Sequence, residues 1–587
     1  MGHASLVTFA VALALPAGQL AARETPKDPA DPLKAAPGVV EAWQDMRFGM
    51  FLCWGPVSLT GKEIGWSRGA PAWGRRQGVR GGRGPTPAAV YDALHERWKP
   101  GHFDAEQWVR AARDAGMKYI IFLVKHHDGF SLYDTKLSDH KSTGPRSAWK
   151  VDVMKHVADA CHKHGLKLMI YYSQPDWHHP DYLGKNHERY VRYLHGQVRE
   201  LLTNYGRIDG LWFDGLRRPS LEAAGLWRAK DLLRMARSIQ PHLIINNRCG
   251  LPGDYDTPEQ HVGTFRIDRP WESCITLGTQ WSWKPNDRIK PYEEAIRMLV
   301  ACATGGGNLA LNTNPMPDGR LEPRQVERFK KIGSWMRAYG ESIYGTRAGP
   351  FVAPDRGVRR FGSARNSFRL PGGRWWGGST RRGKVVYLHV LRWPRDTVAL
   401  PDIGRKVVAH RVLTGGRASV TQTADGMEVT VPKARRDALD TIIRLEFGAS
   451  VGDVKPVVGG KPSLAQGGKA DASGIWPDPR LGAKLAFDGN PNTRWGGEPN
   501  SKAGWLSVDL GEDKAFDRLS VSEAFGRTRR FELQVKSGDT WKTVYRGTRL
   551  GPAFTATVPT TTARHVRLLI VEATDVPTIW EVQLFKD

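Results

Sequence analysis

The chain has 587 residues, too many for one hydrophobic core, and it must divide into several domains. With 40% hydrophobic and 10% aromatic residues, including 22 Trp, it is not a disordered chain. Lys and Arg outnumber Asp and Glu by 86 to 60, a formal charge of +26. Such a field favours polyanions (nucleic acid, anionic membrane, acidic polysaccharide), but a solvated basic surface gives the same count, so charge alone names no partner.

At the N-terminus an apolar stretch from Leu6 to Leu15 gives way to small residues and then to charge at Arg23. That is the outline of a secretory signal peptide over 1–22, too short for a permanent span, and it predicts a secreted or periplasmic protein. No later segment reads as a membrane helix. The five cysteines, Cys53, Cys161, Cys249, Cys274 and Cys302, are widely and irregularly spaced without any CxxC, which predicts free thiols rather than a disulfide scaffold. The glycine-rich stretch 66–84 carries Arg68, Arg75, Arg76, Arg80 and Arg83 and no acid, and reads as a mobile loop or an anion clamp.

From 41 to 347 apolar strand-like runs alternate with segments of helical period. FGMFLCWG, KYIIFLVK, LKLMIYYS, GLWFDG and LIINNR read as strands, while 105–116, 153–165, 188–206 and 231–240 read as helices. This alternation over some three hundred residues predicts an α/β fold, a (β/α)8-type barrel. Short strands divided by Gly, Pro and Asp then predict a β-sandwich over 348–447. A Gly/Ser/Lys-rich stretch opens a further all-β domain over 448–587.

Polar residues recur where the barrel strands should end. IDGLWFDG sets Asp209 and Asp214 at opposite ends of an apolar run, and Trp212 and Asp214, two apart on a strand, share a face. An indole platform beside a carboxylate suits a sugar. The adjacent His126 and His127, between Lys125 and Asp128, cannot both face inward from a regular strand, so the strand must bulge or end there. They lack the companion ligands of a metal centre and read as neutral hydrogen-bond partners of a polyhydroxyl ligand or as satisfied structural histidines. Tyr171 and Tyr172, then Asn246, Asn247 and Arg248, close two more strands. The following loop holds Asp254, Asp256 and Glu259, either solvent-facing acids around Gly253 or the second half of the carboxylate pair that glycoside hydrolysis requires. GGGNLALNTNPMPDGRL lacks the ending of a phosphate loop, and Asn308, Asn312 and Asn314 are expected to tie a barrel-end loop.

KHHDGFSLYD, YYSQPDW, LWFDG, NNRCG, GDYDTPE, WESCITLGTQWSW and GGNLALNTNPMPDGRL, in that order, resemble the α-L-fucosidase family, glycoside hydrolase family 29. The resemblance implies an exo-acting retaining enzyme with Asp214 as nucleophile and Glu259 as acid/base. His126, His127, Tyr171, Trp212 and Arg248, joined by Trp66, would hold the sugar, with no catalytic metal and no catalytic cofactor. Asp214 is expected to close the sixth barrel strand. One departure bears on the substrate: fucosidases typically read FIHWG in the first strand, and here FLCWG puts Cys53, a poor donor, where the His would grip the sugar. EIGW likewise has Gly65 where an acid often precedes Trp66, with Glu63 nearby. A related α-L-glycosidase of L-galactose or L-glucose type, or one acting on a sulfated L-sugar, is the alternative; a non-catalytic glycan-binding protein is the reading from another class, opposed by the presence of both acids. FDGNPNTRWGG and GWLSVDLG resemble the discoidin or F5/8 type C domain, implying a C-terminal carbohydrate-binding domain with Trp495 in its core and a structural Ca²⁺ at the turn around Asp488. The expected partner is a carbohydrate, with the basic stretch alone pointing to an anionic glycan, and with no nucleic acid and no membrane insertion.

Overall fold

The computed structural model describes residues 33–70, 82, 84–215, 219–263, 265–353, 375–393, 396–423, 426–458, 463–490, 493–551 and 554–586. The signal peptide expected over 1–22 and Arg75, Arg76, Arg80 and Arg83 of the basic stretch lie outside the described residues. Arg68, by contrast, is no part of a mobile loop: it is buried and its guanidinium forks onto Asp92 at 2.6 Å through both Nε and Nη2.

Seven strands form one parallel sheet: β1 (Phe48–Leu52), β2 (Tyr119–Lys125), β3 (Lys167–Tyr172), β4 (Gly210–Phe213), β5 (Ile244–Ile245), β6 (Glu272–Thr276) and β7 (Asn308–Thr313). Their spatial order is β5-β4-β3-β2-β1-β7-β6. Nearly every strand residue is buried, as expected when helices cover one face and the opposite face lines a closed interior. Phe51, Tyr119, Ile121, Met169, Trp212 and Cys274 fill that interior. The helices outside are Ala105–Asp114, Val153–His164, His187–Asn204, Ala229–Ile239, Tyr292–Gly305 and Pro323–Tyr339. Four of them fall within two residues of the spans their apolar period predicts. Two begin on Asp caps: Asp104 accepts from the Gln107 amide and Asp152 from the Lys155 amide, each at 3.0 Å.

The ring is completed by an irregular stretch. Between β5 and β6 the chain over 254–260 bridges to both neighbours, Asn246 with Tyr255, Asp256 with Trp271 and Glu259 with Cys274, all parallel. Backbone bonds from Asp254 to Ile245, from Glu272 to Asp256 and from Gln260 to Cys274 fix it there. Two proline residues, Pro252 and Pro258, and the left-handed Gly253 keep it from becoming a regular strand. The expectation that Asp214 closes the sixth strand is corrected: β4, the fourth, carries it, because no further barrel strand precedes it among the described residues.

Past the barrel, Arg347–Ala348, Gly377–Arg382, Val385–Val390, Val407–Val412 and Thr441–Phe447 form one antiparallel sheet, and Thr397–Leu400, Ser419–Thr423 and Gly426–Thr430 another. Their apolar residues join the barrel's outer core, so the two pack as one body. The C-terminal β-sandwich is different. Phe487, Trp495, Leu506, Phe516, Phe531 and Leu568 belong to a separate core. No helix among the described residues is long and apolar enough to cross a membrane.

Candidate active site

The direction of β4 separates Asp209 from Asp214. Asp209 sits at the N-terminal end, where it accepts from the Leu168 amide and pairs with Arg207. Asp214 sits past the C-terminal end, at the barrel mouth. There a cavity of about 460 Å³ is lined by Cys53, Trp66, His126, Tyr171, Trp212, Asp214, Arg248 and Glu259, together with Phe51, Leu123, Cys274 and Trp281. Eight residues named from sequence thus line one hollow, and His127, the ninth, lies just behind it with Nε2 3.6 Å from Asp214 Oδ2.

Asp214 is held from two sides. Tyr171 Oη donates to Oδ2 at 2.9 Å and Arg248 Nη1 to Oδ1 at 3.2 Å. The other Arg248 terminal nitrogen, Nη2, meets Glu259 Oε2 at 2.9 Å, so one guanidinium carries both acids. Its own place is fixed by Nε to Thr257 Oγ1, by Nη2 to Thr257 O, and by the Trp212 ring 4.5 Å beneath. Burial works against the Arg248 charge, but Asp214 and Glu259 outweigh it and raise its pKa. A fork of fixed geometry is what such bridging needs; a lysine could not span both.

Glu259 reaches the cavity because 254–260 replaces a strand. Along it Tyr255, Thr257 and Glu259 alternate inward, while Asp256 points out to Arg266 and Arg269. Asp254 is structural, buried against Arg237 and the Ile245 amide. Of the loop's three acids, then, one alone lines the cavity.

The two histidines sit at a break in β2, whose register with β3 shifts between Leu123 and Lys125. That irregularity lets consecutive rings pack 4.1 Å apart on the same side. His126 stacks on Tyr171, and His127 Nδ1 lies 2.6 Å from Ser173 Oγ. Burial, reinforced by Lys125 and Arg248, pulls His127 down to about 3, and burial with His127 alongside pulls His126 well below its usual range. Both are neutral near pH 7. Lys125 instead turns to Asp176 and Asp128 takes the Tyr91 hydroxyl, while Asn246 and Asn247 tie β4 and Asp256. These neighbours of the site residues are scaffold, a distinction invisible in a run of polar letters.

Burial, then Glu63, Glu259 and Asp214, push the Cys53 thiol well above its normal pKa, so it stays protonated. Glu63 lies behind, half-buried and raised to about 7 by desolvation, accepting from the Trp281 and Ile64 amides. Trp281, which sequence reasoning missed, is anchored on its other side by Asn314; Asn312 instead binds the Phe51 carbonyl of β1 at 3.2 Å and Asn308, at the opposite end of β7, binds the Trp43 carbonyl at 2.9 Å, so of the three asparagines expected to tie a barrel-end loop Asn314 does so. Its signal was the WESCITLGTQWSW motif, which names three tryptophans without saying which faces inward. Trp66 is 47% exposed at the rim, edge-on to His127 and Trp177.

A parallel barrel whose mouth holds two carboxylates on one arginine, walled by indoles and neutral imidazoles, defines a glycoside hydrolase. The sequence model described as "Alpha-L-fucosidase" matches residues 15–341, and one described as "NedA-like, galactose-binding domain" matches residues 485–568. The chain is 26% identical over 430 residues to the tissue α-L-fucosidase of Rattus norvegicus, covering 67% of this chain and 85% of that one. Among solved structures, α-L-fucosidase isoenzyme 1 from Paenibacillus thiaminolyticus superposes with a TM-score of 0.57 at 31% identity, over 70% of this chain and 98% of its own. An α-L-fucosidase from Bacteroides thetaiotaomicron, in a trapped covalent intermediate formed with 2-fluoro-fucosyl fluoride, superposes at 0.57 and 25% identity over 71% and 97%. The chain belongs to the α-L-fucosidase family, glycoside hydrolase family 29, and carries a C-terminal domain of the F5/8 type C class.

Proposed function

We propose that the enzyme removes terminal α-L-fucosyl residues with retention, Asp214 acting as nucleophile and Glu259 as general acid/base. The single observation that supports this most is the Arg248 guanidinium holding both carboxylates in one cavity at the barrel mouth. In the first step an Asp214 oxygen bonds to the anomeric carbon as the bond to the leaving oxygen breaks and Glu259 delivers its proton to that oxygen. In the second, Glu259 takes a proton from water, whose oxygen attacks the same carbon and releases Asp214. The covalent intermediate trapped in the Bacteroides relative is the counterpart of the state between the two. Glu259 is paired with Arg248 and swings off it to protonate the leaving oxygen; its side chain, 40% exposed, has room.

Tyr171 and Arg248 aim the nucleophile, the neutral His126 and His127 offer ring nitrogens to sugar hydroxyls, Trp281 supplies an apolar face, and Trp212 serves the sugar through the Arg248 guanidinium it carries. Cys53 brings a protonated thiol where a stronger donor would fit, so the pocket grips one edge of the sugar weakly and the panel of accepted α-L-sugars widens. Turnover of aryl α-L-fucoside, α-L-galactoside, α-L-glucoside and a sulfated fucoside by wild type, C53H and D214N tests both points. D214N is expected to lose on the order of 10³-fold or more on every substrate; full activity in D214N overturns the mechanism. C53H should sharpen preference for fucoside, and an unchanged ranking removes Cys53 from specificity.

We propose further that the F5/8 type C domain binds carbohydrate and holds a structural cation at the Asp488 turn. Asp488 accepts from the Asn490 amide and the Thr493 hydroxyl. Glu581 beside it is buried, has an unpartnered oxygen among the described residues, and is raised to about 10 by burial and by Asp488. Two facing acids with an orphan oxygen fit an oxygen-liganded Ca²⁺; chelation should then lower the melting of this domain, and no change rejects the site. Export, too, is a proposal, checked by N-terminal sequencing of the mature protein.

A further inference from the structure

Beside the sugar cavity, three segments that follow β1, β2 and β3 bring Asp92, His140 and His178 together, one donor atom from each lying within 4.8 Å of the others. His178 Nδ1 is 3.1 Å from Asp92 Oδ2, and the His140 and His178 rings stack at 3.9 Å. The permanent charges around them do not balance; what makes up the difference is either a proton on His178, 3.1 Å from Asp92, or a bound cation. Among the described residues the carboxylates of Asp92, Asp128 and Asp176 are met by two permanent cations, Arg68 at 2.6 Å from Asp92 and Lys125 at 3.1 Å from Asp176. An unmatched negative charge in a poorly solvated region is costly, and a bound cation removes the cost.

A second observation is independent of that cluster. A cavity of about 350 Å³ adjoins it, walled in part by Asp92, His95, His126, Asp128 and His140. His95 and His126 are 4% and 6% exposed, and Nδ1 of each is buried with no hydrogen-bond partner among the described residues. Buried polar atoms are rarely left so.

We propose that Asp92, His140 and His178 bind a borderline divalent cation of the zinc class, with a water from the adjoining cavity in the fourth position. Two imidazole nitrogens and one carboxylate oxygen are the donors such an ion takes in a tetrahedral site, whereas Ca²⁺ and Mg²⁺ require six or more oxygens. The Arg68 fork does not exhaust Asp92, since a carboxylate offers about four acceptor positions. The stacked rings must open slightly, which loop residues permit, and His178, with 41% of its side chain exposed, gives the ion its path in. Occupied, the site would clip the three segments together next to Trp177, whose ring packs on His127 and Trp66.

The test uses the full-length protein stripped by chelator and supplied with excess Ca²⁺ to saturate the Asp488 turn. Zn²⁺ is titrated by calorimetry and Co²⁺ by visible absorption. One ion per chain, with the intense bands of tetrahedral Co²⁺, is expected, and H178A and H140A should each weaken binding about 10-fold or more while the metal-free turnover stays unchanged. Absence of binding to the wild type overturns the proposal without recourse to any variant, and assigns the cluster's balancing charge to a proton. Binding that survives unweakened in both variants places the ion elsewhere and overturns it equally.

Discussion

Arg248 is the residue on which the site turns, because among the described residues it alone pairs with both acids, and what supports it from below is a buried glutamate. Glu272, fully enclosed in the barrel, accepts from Trp212 Nε1 at 3.2 Å and from the Tyr119 hydroxyl, and Trp212 in turn carries the Arg248 guanidinium. Burial raises Glu272 to about 7, against the pull of those two donors. A carboxyl protonated more readily when folded stabilises fully below its unfolded pKa near 4.5, and that contribution is lost as pH rises through about 7. The loss is at most about 3 kcal/mol. E272Q should therefore melt close to wild type at pH 5 and above it at pH 8, read by thermal denaturation; equal differences at both pH values would show that Glu272 does not titrate. The buried His127 acts in the opposite sense, its depressed pKa removing stability as pH falls below about 6.5 toward 3. The two windows overlap from about 4.5 to 6.5, where the opposing slopes offset each other and stability should be highest, and H127Q should flatten the acid side.

At the scale of elements, the site is assembled by irregularities rather than by ideal strands. The break in β2 brings two histidines to one side, and the prolines and glycine of 252–258 turn a would-be strand into the stave that aims Glu259 inward. Gly215 performs a third adjustment: its amide donates to the Arg248 carbonyl at 3.0 Å, and a Cβ there would lie 2.6 Å from that oxygen. The ends of β4 and β5 approach each other, with Asp214 and Arg248 in register, because nothing larger than hydrogen intervenes. G215A is expected to fold with a loss of about 1–3 kcal/mol and to lose on the order of 10²-fold in kcat, since it displaces Arg248 from Asp214. Unimpaired kcat would show that the approach is not needed. The irregularity at the histidines was legible in the letters, as two adjacent polar rings cannot share a regular strand. The substitute strand over 254–260 was not, because prolines and acids read as an exposed loop until both flanking strands are known.

For the molecule as a whole, the two hydrophobic cores set the expected unfolding behaviour. The barrel and the following sheets share one core, and the C-terminal sandwich has its own, centred on the fully buried Trp495 with its indole nitrogen on the Gly474 carbonyl at 2.9 Å. Calorimetry should resolve two transitions, and W495A should lower one of them, by about 3–5 kcal/mol, without moving the other. A joint shift would mean that the bodies unfold as one. The five cysteines, all free and buried, leave both cores independent of redox conditions.

The alternation of apolar period along 41–347, the helices within a turn of their observed ends, and the acid and indole two residues apart were determined by the sequence alone, because each is a local pattern or a spacing along one strand. Which of several strand-end polar residues face the sugar was decided only in three dimensions: Lys125, Asp128, Tyr172, Asn246 and Asn247 stand beside the site residues in the chain yet turn to partners in the scaffold. Side-chain direction at a frayed strand end depends on the neighbouring strands and their charges, which are distant in the chain. The pairing of Asp214 with Glu259 through Arg248 has the same origin, since closing the barrel is what carries three separate strand ends to one guanidinium.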